Sequence, residues 1–273
     1  MIIGVPKEIK LQEHRIGLTP DSVKVLHEKG HKVLVETNGG LEAGFTNQDY
    51  EKSGAIIYDS AKKIFEDAEI IVKVKEPQMS EVKMIREGQI IYTYLHLAAT
   101  RELTEGLIKS KSICIAYETV TDDKGRLPLL APMSAVAGRM SIQAGAHSLE
   151  KNQRGRGLLL GGAPGVEPAN IVILGGGVVG ENAAIIATGM KGKVYVVDKS
   201  KQRLKELHEM FGDKIIPTES DKTDLKKLVS ECDLLIGGVL IPGAEAPKLV
   251  TKEMIKSMKR GSVIVDVAID QGG

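Results

Sequence analysis

The sequence predicts an α/β protein built on two doubly wound parallel sheets, and three observations carry that expectation. Short apolar segments rich in Val and Ile alternate with amphipathic helical stretches through all 273 residues. Closely spaced glycines follow one of these segments directly and run into a helical stretch, from Ile171 to Gly180. A polar, proline-bearing stretch at 121–132, with Asp122, Asp123, Gly125 and Pro128, interrupts the rhythm. It is the natural place to divide the chain into domains at 1–128 and 129–273.

Taken in order, strands are expected at 2–5, 32–36, 55–58, 70–74, 89–94 and 113–117. Thr19-Pro20-Asp21 opens a helix as N-cap and first-turn proline, and Gly30 closes it before the next strand. Gly88 is expected to end another helix in the same way. Past the polar stretch, Ser134 is expected to cap a long helix reaching about Lys151. That helix is rich in Ala, Gly and Ser, suited to close packing against neighbouring backbone, and is expected to bridge the domains. A glycine-rich loop at 155–165 leads to strands near 170–174, 193–197, 214–217, 233–237 and 262–268. Five strands stand where a complete dinucleotide fold has six. No fixed-period repeat or low-complexity tract is present.

Composition narrows the function classes. With 42% hydrophobic and 27% charged residues the chain can bury a sizeable core, which must be aliphatic because there is no Trp and only three Phe. A net charge of +1 gives no sign of a nucleic-acid or membrane surface. Lys248, Lys252, Lys256 and Arg260 fall on one helical face, read as a solvated face in preference to a polyanion site. Cys114 and Cys232 lie far apart in no metal-binding spacing and read as packed, reduced thiols. No metal site is expected. The early charges Lys7 and Glu8 do not suit a signal peptide, so a cytoplasmic location is expected.

In Gly175-Gly176-Gly177-Val178-Val179-Gly180, Gly175 permits the tight strand-to-helix turn. Gly177 permits close approach of a pyrophosphate, and Gly180 permits close packing of helix on strand. The next strand ends in Asp198, eighteen positions after Gly180, where a carboxylate can accept from ribose hydroxyls and would repel a 2′-phosphate. This is a Rossmann-like turn, and the cofactor expected is NAD. Nearby Lys199, Lys201 and Arg203 weigh the other way.

Ligands of open α/β sheets bind at the carboxyl ends of strands. Lys75 and His96 stand at two such ends, and Arg15 follows the first strand. A guanidinium can hold a substrate carboxylate by paired hydrogen bonds, an ammonium can stabilise charge on a reacting oxygen, and an imidazole can pass a proton near neutral pH. Asp270, at a strand end, could orient water or an amine. By position alone Arg15 and Lys75 also fit surface charges, His96 a structural histidine, and Asp270 a strand cap. Together with a dinucleotide turn, the set points to a keto-acid or amino-acid dehydrogenase.

The segments Lys73-Val74-Lys75-Glu76-Pro77, Tyr94-Leu95-His96-Leu97-Ala98-Ala99 and Val267-Ala268-Ile269-Asp270-Gln271-Gly272-Gly273 resemble those of bacterial alanine dehydrogenases, as do 14–20, 128–140 and 161–168. The likeness spans Met1 to Gly273. It implies an N-terminal substrate domain and a dinucleotide-binding domain lacking its last strand. The implied reaction is reversible NAD-dependent oxidative deamination of L-alanine to pyruvate and ammonium by a cytoplasmic hexamer. Arg15 and Lys75 are then substrate-binding residues, with His96 and Asp270 catalytic. NAD contacts are implied at Ser134, Val178, Val179, Asp198, Arg203, Ser220, Val239, Leu240, Val267, Ala268, Ile269 and Asp270. Two alternative readings stand beside it: a saccharopine dehydrogenase relative, which would need a pocket for a longer substrate, and the NAD(H)-binding subunit of a proton-translocating transhydrogenase, which has no need of the Lys75/His96 pair. Two departures stand out. Ala135 replaces an acid common in the family, and family members continue beyond Gly273, from which a chain truncated at its C-terminus and of reduced turnover is expected.

Overall fold

The computed structural model describes residues 1–221, 223–239 and 246–269. The chain divides into two compact units, Met1–Leu127 and Pro128–Gly273.

The first unit is a six-stranded, wholly parallel sheet of β1 (Ile2–Val5), β2 (Lys32–Glu36), β3 (Ala55–Tyr58), β4 (Ile70–Val72), β5 (Ile90–Thr93) and β6 (Ile113–Ala116), in the order β3-β2-β1-β4-β5-β6. Its helices are α1 (Pro20–Glu28), α2 (Asn47–Lys52), α3 (Ala61–Asp67), α4 (Met79–Val82) and α5 (Arg101–Ser110). Parallel strands covered on both faces must be apolar on both. Accordingly Leu34 enters one core cluster with Ile71 and Ile91, while Val33 and Val35 enter another with Val5 and Val72. Strand order reverses between β1 and β4, so the residues following β1, β4 and β5 border the switch point, where such sheets take their ligands.

The second unit is also parallel, in the order β11-β10-β7-β8-β9, from β7 (Asn170–Leu174), β8 (Lys193–Asp198), β9 (Ile215–Glu219), β10 (Leu234–Gly237) and β11 (Val263–Asp266). Helices α6 (Ala131–Ser148), α7 (Val178–Gly189), α8 (Lys201–Phe211), α9 (Leu225–Glu231) and α10 (Lys252–Ser257) surround it. Its switch point lies between β7 and β10.

The Thr19 cap is in place, its side chain accepting from the Ser22 N–H at 3.4 Å, and Gly30 takes φ +82° past the end of α1. Three expectations are corrected. Ser134 is not the cap of α6: the helix begins at Ala131, with Pro132 in its first turn, and Ser134 is already buried inside it, its N–H donating to Leu130 O. That helix also stops at Ser148, and Lys151–Gln153 form a separate 3₁₀ turn. Gly88 ends no helix, because α4 stops at Val82. The Arg86 guanidinium turns to the carbonyls of Phe65 and Ala68, its N–H donates to the Gln89 side chain, and Gly88, φ +75°, turns the chain into β5.

The close packing expected of α6 is real. A Cβ at Gly138 would lie 2.2 Å from Val179 O, and one at Gly145 would lie 2.6 Å from the Leu234 side chain. Cys232 is buried, its Sγ donating to Val229 O at 3.1 Å, and burial, reinforced by Asp233, pushes the thiol up to about 11. No helix among the described residues is long and apolar enough to cross a membrane.

Candidate active site

At the switch point of the first unit, five glutamates and three lysines gather about the strand ends. Lys73, directly after β4, is fully buried, its Nζ 3.0 Å from Glu8 Oε2 and 2.9 Å from Glu81 Oε1. The contact to Glu8 is a well-aligned hydrogen bond, while that to Glu81 is an ion pair with oblique geometry. Glu8 Oε1 accepts from the backbone N–H of Val74 at 2.6 Å and of Lys75 at 3.4 Å. One carboxylate therefore both neutralises Lys73 and holds the backbone that carries Lys75. Burial pushes the Glu81 carboxyl up, and Lys73 opposes it. Thr93 Oγ1 donates to Lys75 O at 2.9 Å, joining the ends of β4 and β5.

His96 follows β5 in left-handed conformation, φ 47° and ψ 40°, unfavourable for a residue with a Cβ. Glu118, buried after β6, stabilises it by accepting from the backbone N–H of Leu95 at 3.0 Å and of His96 at 2.7 Å. The imidazole Nδ1 lies 3.1 Å from Glu76 Oε2, while Glu76 Oε1 accepts from Lys10 Nζ. Burial pushes the Glu76 carboxyl up, but the hydrogen bonds from His96 and Lys10 outweigh it and hold the group down at about 2. The Tyr94 ring stacks on the imidazole, centroids 6.1 Å apart.

Arg15 presents its fork to Glu13, with Nε donating to Oε1 at 2.8 Å and Nη2 to Oε2 at 2.6 Å. These hydrogen bonds hold the Glu13 carboxyl low against burial, and the charge of Lys75 adds to them. Arg15 likewise opposes the upward push that burial exerts on Tyr94. Lys75 thus acts electrostatically on Glu13, which Arg15 holds, and Arg15 acts on Tyr94, on which His96 stacks, all beyond the ends of β1, β4 and β5. The three expected residues share one sheet end.

In the second unit, a Cβ at Gly180 would lie 1.9 Å from Gly175 O, so only glycine lets α7 start this close to β7. Gly175 has φ +96°, with Gly238 O and Val239 Cγ2 each 3.0 Å from where its Cβ would be. Gly177 is the opposite case: nothing lies within 4 Å of its Cβ position, and no side chain caps the N-terminus of α7 that it begins. That open, uncapped helix start fits a pyrophosphate. Asp198 closes the turn, Oδ2 accepting from Gly176 N–H at 2.6 Å and Oδ1 from Ser200 N–H at 2.8 Å, each oxygen keeping a second lone pair for a ribose hydroxyl.

Arg203 is committed to the turn itself: Nε donates to Gly176 O at 2.6 Å, and the remaining nitrogens pair with Glu181 and Glu206. Ser220 N–H donates to Asp198 O at 3.0 Å. Val178 and Val179 form the first turn of α7, and Val267 N–H donates to Gly237 O at 2.9 Å. Ala268 N–H donates to Asp266 Oδ1 at 3.0 Å, and Ile269 is exposed. Leu240 and Asp270 lie outside the described residues. No group of His, Cys, Asp and Glu among the described residues could hold a metal ion.

Sequence reasoning missed the roles of Glu8, Glu13, Glu76 and Glu118. Glu76 had a signal, its place beside Lys75; Glu118 had none, because it acts on a backbone 22 positions away.

Two doubly wound units, one with a glycine turn suited to a dinucleotide and one with cations and an imidazole at its switch point, define the class of dinucleotide-dependent oxidoreductases. Comparison with known proteins narrows the class. Residues 4–137 match Alanine dehydrogenase/PNT, N-terminal domain, and residues 141–273 match Alanine dehydrogenase/PNT, C-terminal domain. The chain belongs to the alanine dehydrogenase/PNT family, whose cofactor is a nicotinamide dinucleotide. It is 55% identical to an alanine dehydrogenase of Methanococcus maripaludis over 273 residues, all of this chain and 73% of that protein. A solved L-alanine dehydrogenase superposes with TM-score 0.90 at 52% identity, over all of this chain and 75% of that one. A transhydrogenase from Sinorhizobium meliloti superposes with TM-score 0.81 at 27% identity, over all of this chain and 80% of that one.

Proposed function

We propose that this chain is an L-alanine dehydrogenase, catalysing L-alanine + NAD⁺ + H₂O ⇌ pyruvate + NH₄⁺ + NADH, with Met1–Leu127 as the substrate domain and Pro128–Gly273 as the NAD domain. The observation that carries the reading is the grouping of Arg15, Lys75 and His96 at one sheet end in a chain 55% identical to an alanine dehydrogenase. That identity is about twice the 27% to the transhydrogenase, which favours the dehydrogenase over an NAD(H)-binding subunit. A cytoplasmic homo-oligomer, hexameric by family resemblance, accompanies the reading.

When bound, the nicotinamide accepts the hydride from Cα. Arg15 exchanges the Glu13 carboxylate for that of the substrate, since both present two oxygens to one fork. Lys75, its backbone held by Glu8, stabilises negative charge developing on the substrate oxygen. His96 takes a proton from the water that adds to the substrate carbon and returns it in the reverse direction. Asp198 favours NAD, its two oxygens being placed to accept from ribose hydroxyls. Asp270 is assigned a second proton-handling role on family resemblance.

The test is NADH formation with a panel of L-amino acids. L-alanine should be the preferred substrate, and Lys75→Ala and His96→Ala should each lower kcat about 10²-fold or more with NAD affinity nearly unchanged. Preference for another amino acid would displace the substrate assignment, and near-normal turnover in either variant would remove that residue from the mechanism.

A further inference from the structure

We propose that Glu76, clamped by Lys10, is a positioning residue that holds the His96 imidazole as its Nδ1–H tautomer and so assigns the proton-exchanging role to Nε2. The inference rests on the dehydrogenase reading above for its catalytic consequence, but not for its geometry.

Glu76 Oε2 stands 3.1 Å from His96 Nδ1, and the Glu76 side chain is only 16% exposed. Its other oxygen is taken by Lys10, which reaches it from the segment after β1. An ionised carboxylate is acceptor-only, so Nδ1 must carry the hydrogen between the two groups whenever the imidazole is neutral. Glu76 stays ionised throughout the range in which a histidine titrates, because His96 and Lys10 hold its carboxyl low. The Nδ1–H form is the reverse of the tautomer a free histidine side chain prefers in water, so the contact specifies something the residue would not adopt alone.

The backbone is specified independently. Glu118 grips the His96 N–H from beyond the end of β6, and Tyr94, next after β5, stacks on the ring. Backbone, ring plane and tautomer are thus set by three different elements. In the reaction water adds to the imine carbon: an O–H bond breaks as its proton passes to Nε2, the pair left on oxygen makes the new C–O bond, and the C=N π pair moves onto the substrate nitrogen, while Nδ1–H stays hydrogen-bonded to Glu76.

Among the described residues, Glu76 after β4 faces Nδ1, Lys10 after β1 pairs with Glu76, Glu118 after β6 holds the His96 N–H, and the Tyr94 ring, next after β5, stacks on the imidazole. Lys10 fixes the Glu76 carboxylate through its other oxygen, so removing Glu76 takes away the acceptor for Nδ1–H, whereas removing Lys10 leaves that acceptor in place. A residue that served only to hold the fold would not decide which ring nitrogen carries the proton.

The experiment uses ¹⁵N-histidine-labelled chain, with His96 assigned by loss of its signals in His96→Gln. In the wild type, Nδ1 should show the protonated and Nε2 the unprotonated resonance above the titration. Glu76→Leu, which removes the acceptor, should let the neutral ring revert to Nε2–H, while Lys10→Met, which keeps it, should leave Nδ1–H dominant. Glu76→Ala should lower kcat for L-alanine by roughly 10–10²-fold with little change in KM, and Glu76→Asp should recover part of it. Nε2–H as the dominant wild-type tautomer would overturn the proposal, as would an unchanged Nδ1–H tautomer in Glu76→Leu. The resonances need no turnover: a chain that forms no NADH from alanine yet shows the predicted tautomers in wild type and variants would sink the dehydrogenase reading and leave the Glu76–His96 device standing.

Discussion

Substituting Gly138 by Ala sets two effects of known size against each other. Gly138 lies inside α6, where alanine is worth about 1 kcal/mol more than glycine in helix propensity alone. The added Cβ, however, would sit 2.2 Å from Val179 O and 3.0 Å from Asn182 Cβ. Carbon and a carbonyl oxygen approach to about 3.3 Å without repulsion, so α6 and α7 must part locally by roughly 1 Å. The obstructing oxygen is backbone in the first turn of α7, and Asn182 is tied by Arg139 Nε at 3.0 Å and by Val178 O at 2.9 Å, so neither can rotate away. Overpacking of this kind costs about 1–3 kcal/mol, and a clash with fixed backbone belongs in the upper half of that range. The net expectation is a loss of about 1–2 kcal/mol, or a Tm lower by roughly 2–8 °C in a chain this long. NAD affinity should fall as well, because the displaced turn begins at Gly177. Gly189→Ala is the control: nothing lies within 4 Å of its Cβ position, and its melting temperature should equal or slightly exceed that of the wild type. Thermal melts by circular dichroism and NAD titration by fluorescence measure both arms. A Gly138→Ala chain melting at or above the wild type would show that helix propensity outweighs the steric term and that α6 and α7 can separate without cost.

Asp198→Ala should weaken NAD more than NADP, since it removes the acceptors for ribose hydroxyls and the repulsion of a 2′-phosphate; equal binding of the two nucleotides by the wild type in a calorimetric titration would defeat the assignment. Lys73→Met leaves two buried carboxylates without their cation and should destabilise by about 3–5 kcal/mol, seen as an earlier urea midpoint. A midpoint within error of the wild type would mean that Glu81 and Glu8 find other partners. The Glu76 carboxyl sits at about 2 against an ordinary 4.5, so its contribution to stability is complete above pH 4.5 and is lost as pH falls towards 2. Melting temperature should therefore decline less steeply across that window in Glu76→Gln than in the wild type, and parallel curves would contradict the pairing.

Much of this molecule is local and therefore legible in the sequence alone. The strands of both sheets follow from runs such as Lys32–Glu36 and Asn170–Leu174, because a parallel strand covered on both faces must be continuously apolar. The glycine turn is legible because its requirements, φ +96° at Gly175 and a missing Cβ at Gly180, fall on residues a few positions apart. Arg15, Lys75 and His96 could be nominated because each follows a strand. What surrounds them could not. Glu8 acts on Lys73 across 65 positions and Glu118 on His96 across 22, and a carboxylate that accepts from a distant backbone N–H leaves no pattern in its own neighbourhood. The start of α6 is hidden for a related reason: Ser134 has the residue type of a cap, but Pro132 in the first turn and the Ser134 N–H donated to Leu130 O show the helix already under way. Sequence determined the strands, the nucleotide turn and the candidate chemistry, since these depend on neighbours along the chain. Only the tertiary structure decided which carboxylate holds which cation, backbone and imidazole, because those pairings exist only once the sheet has brought the ends of β1, β4, β5 and β6 side by side.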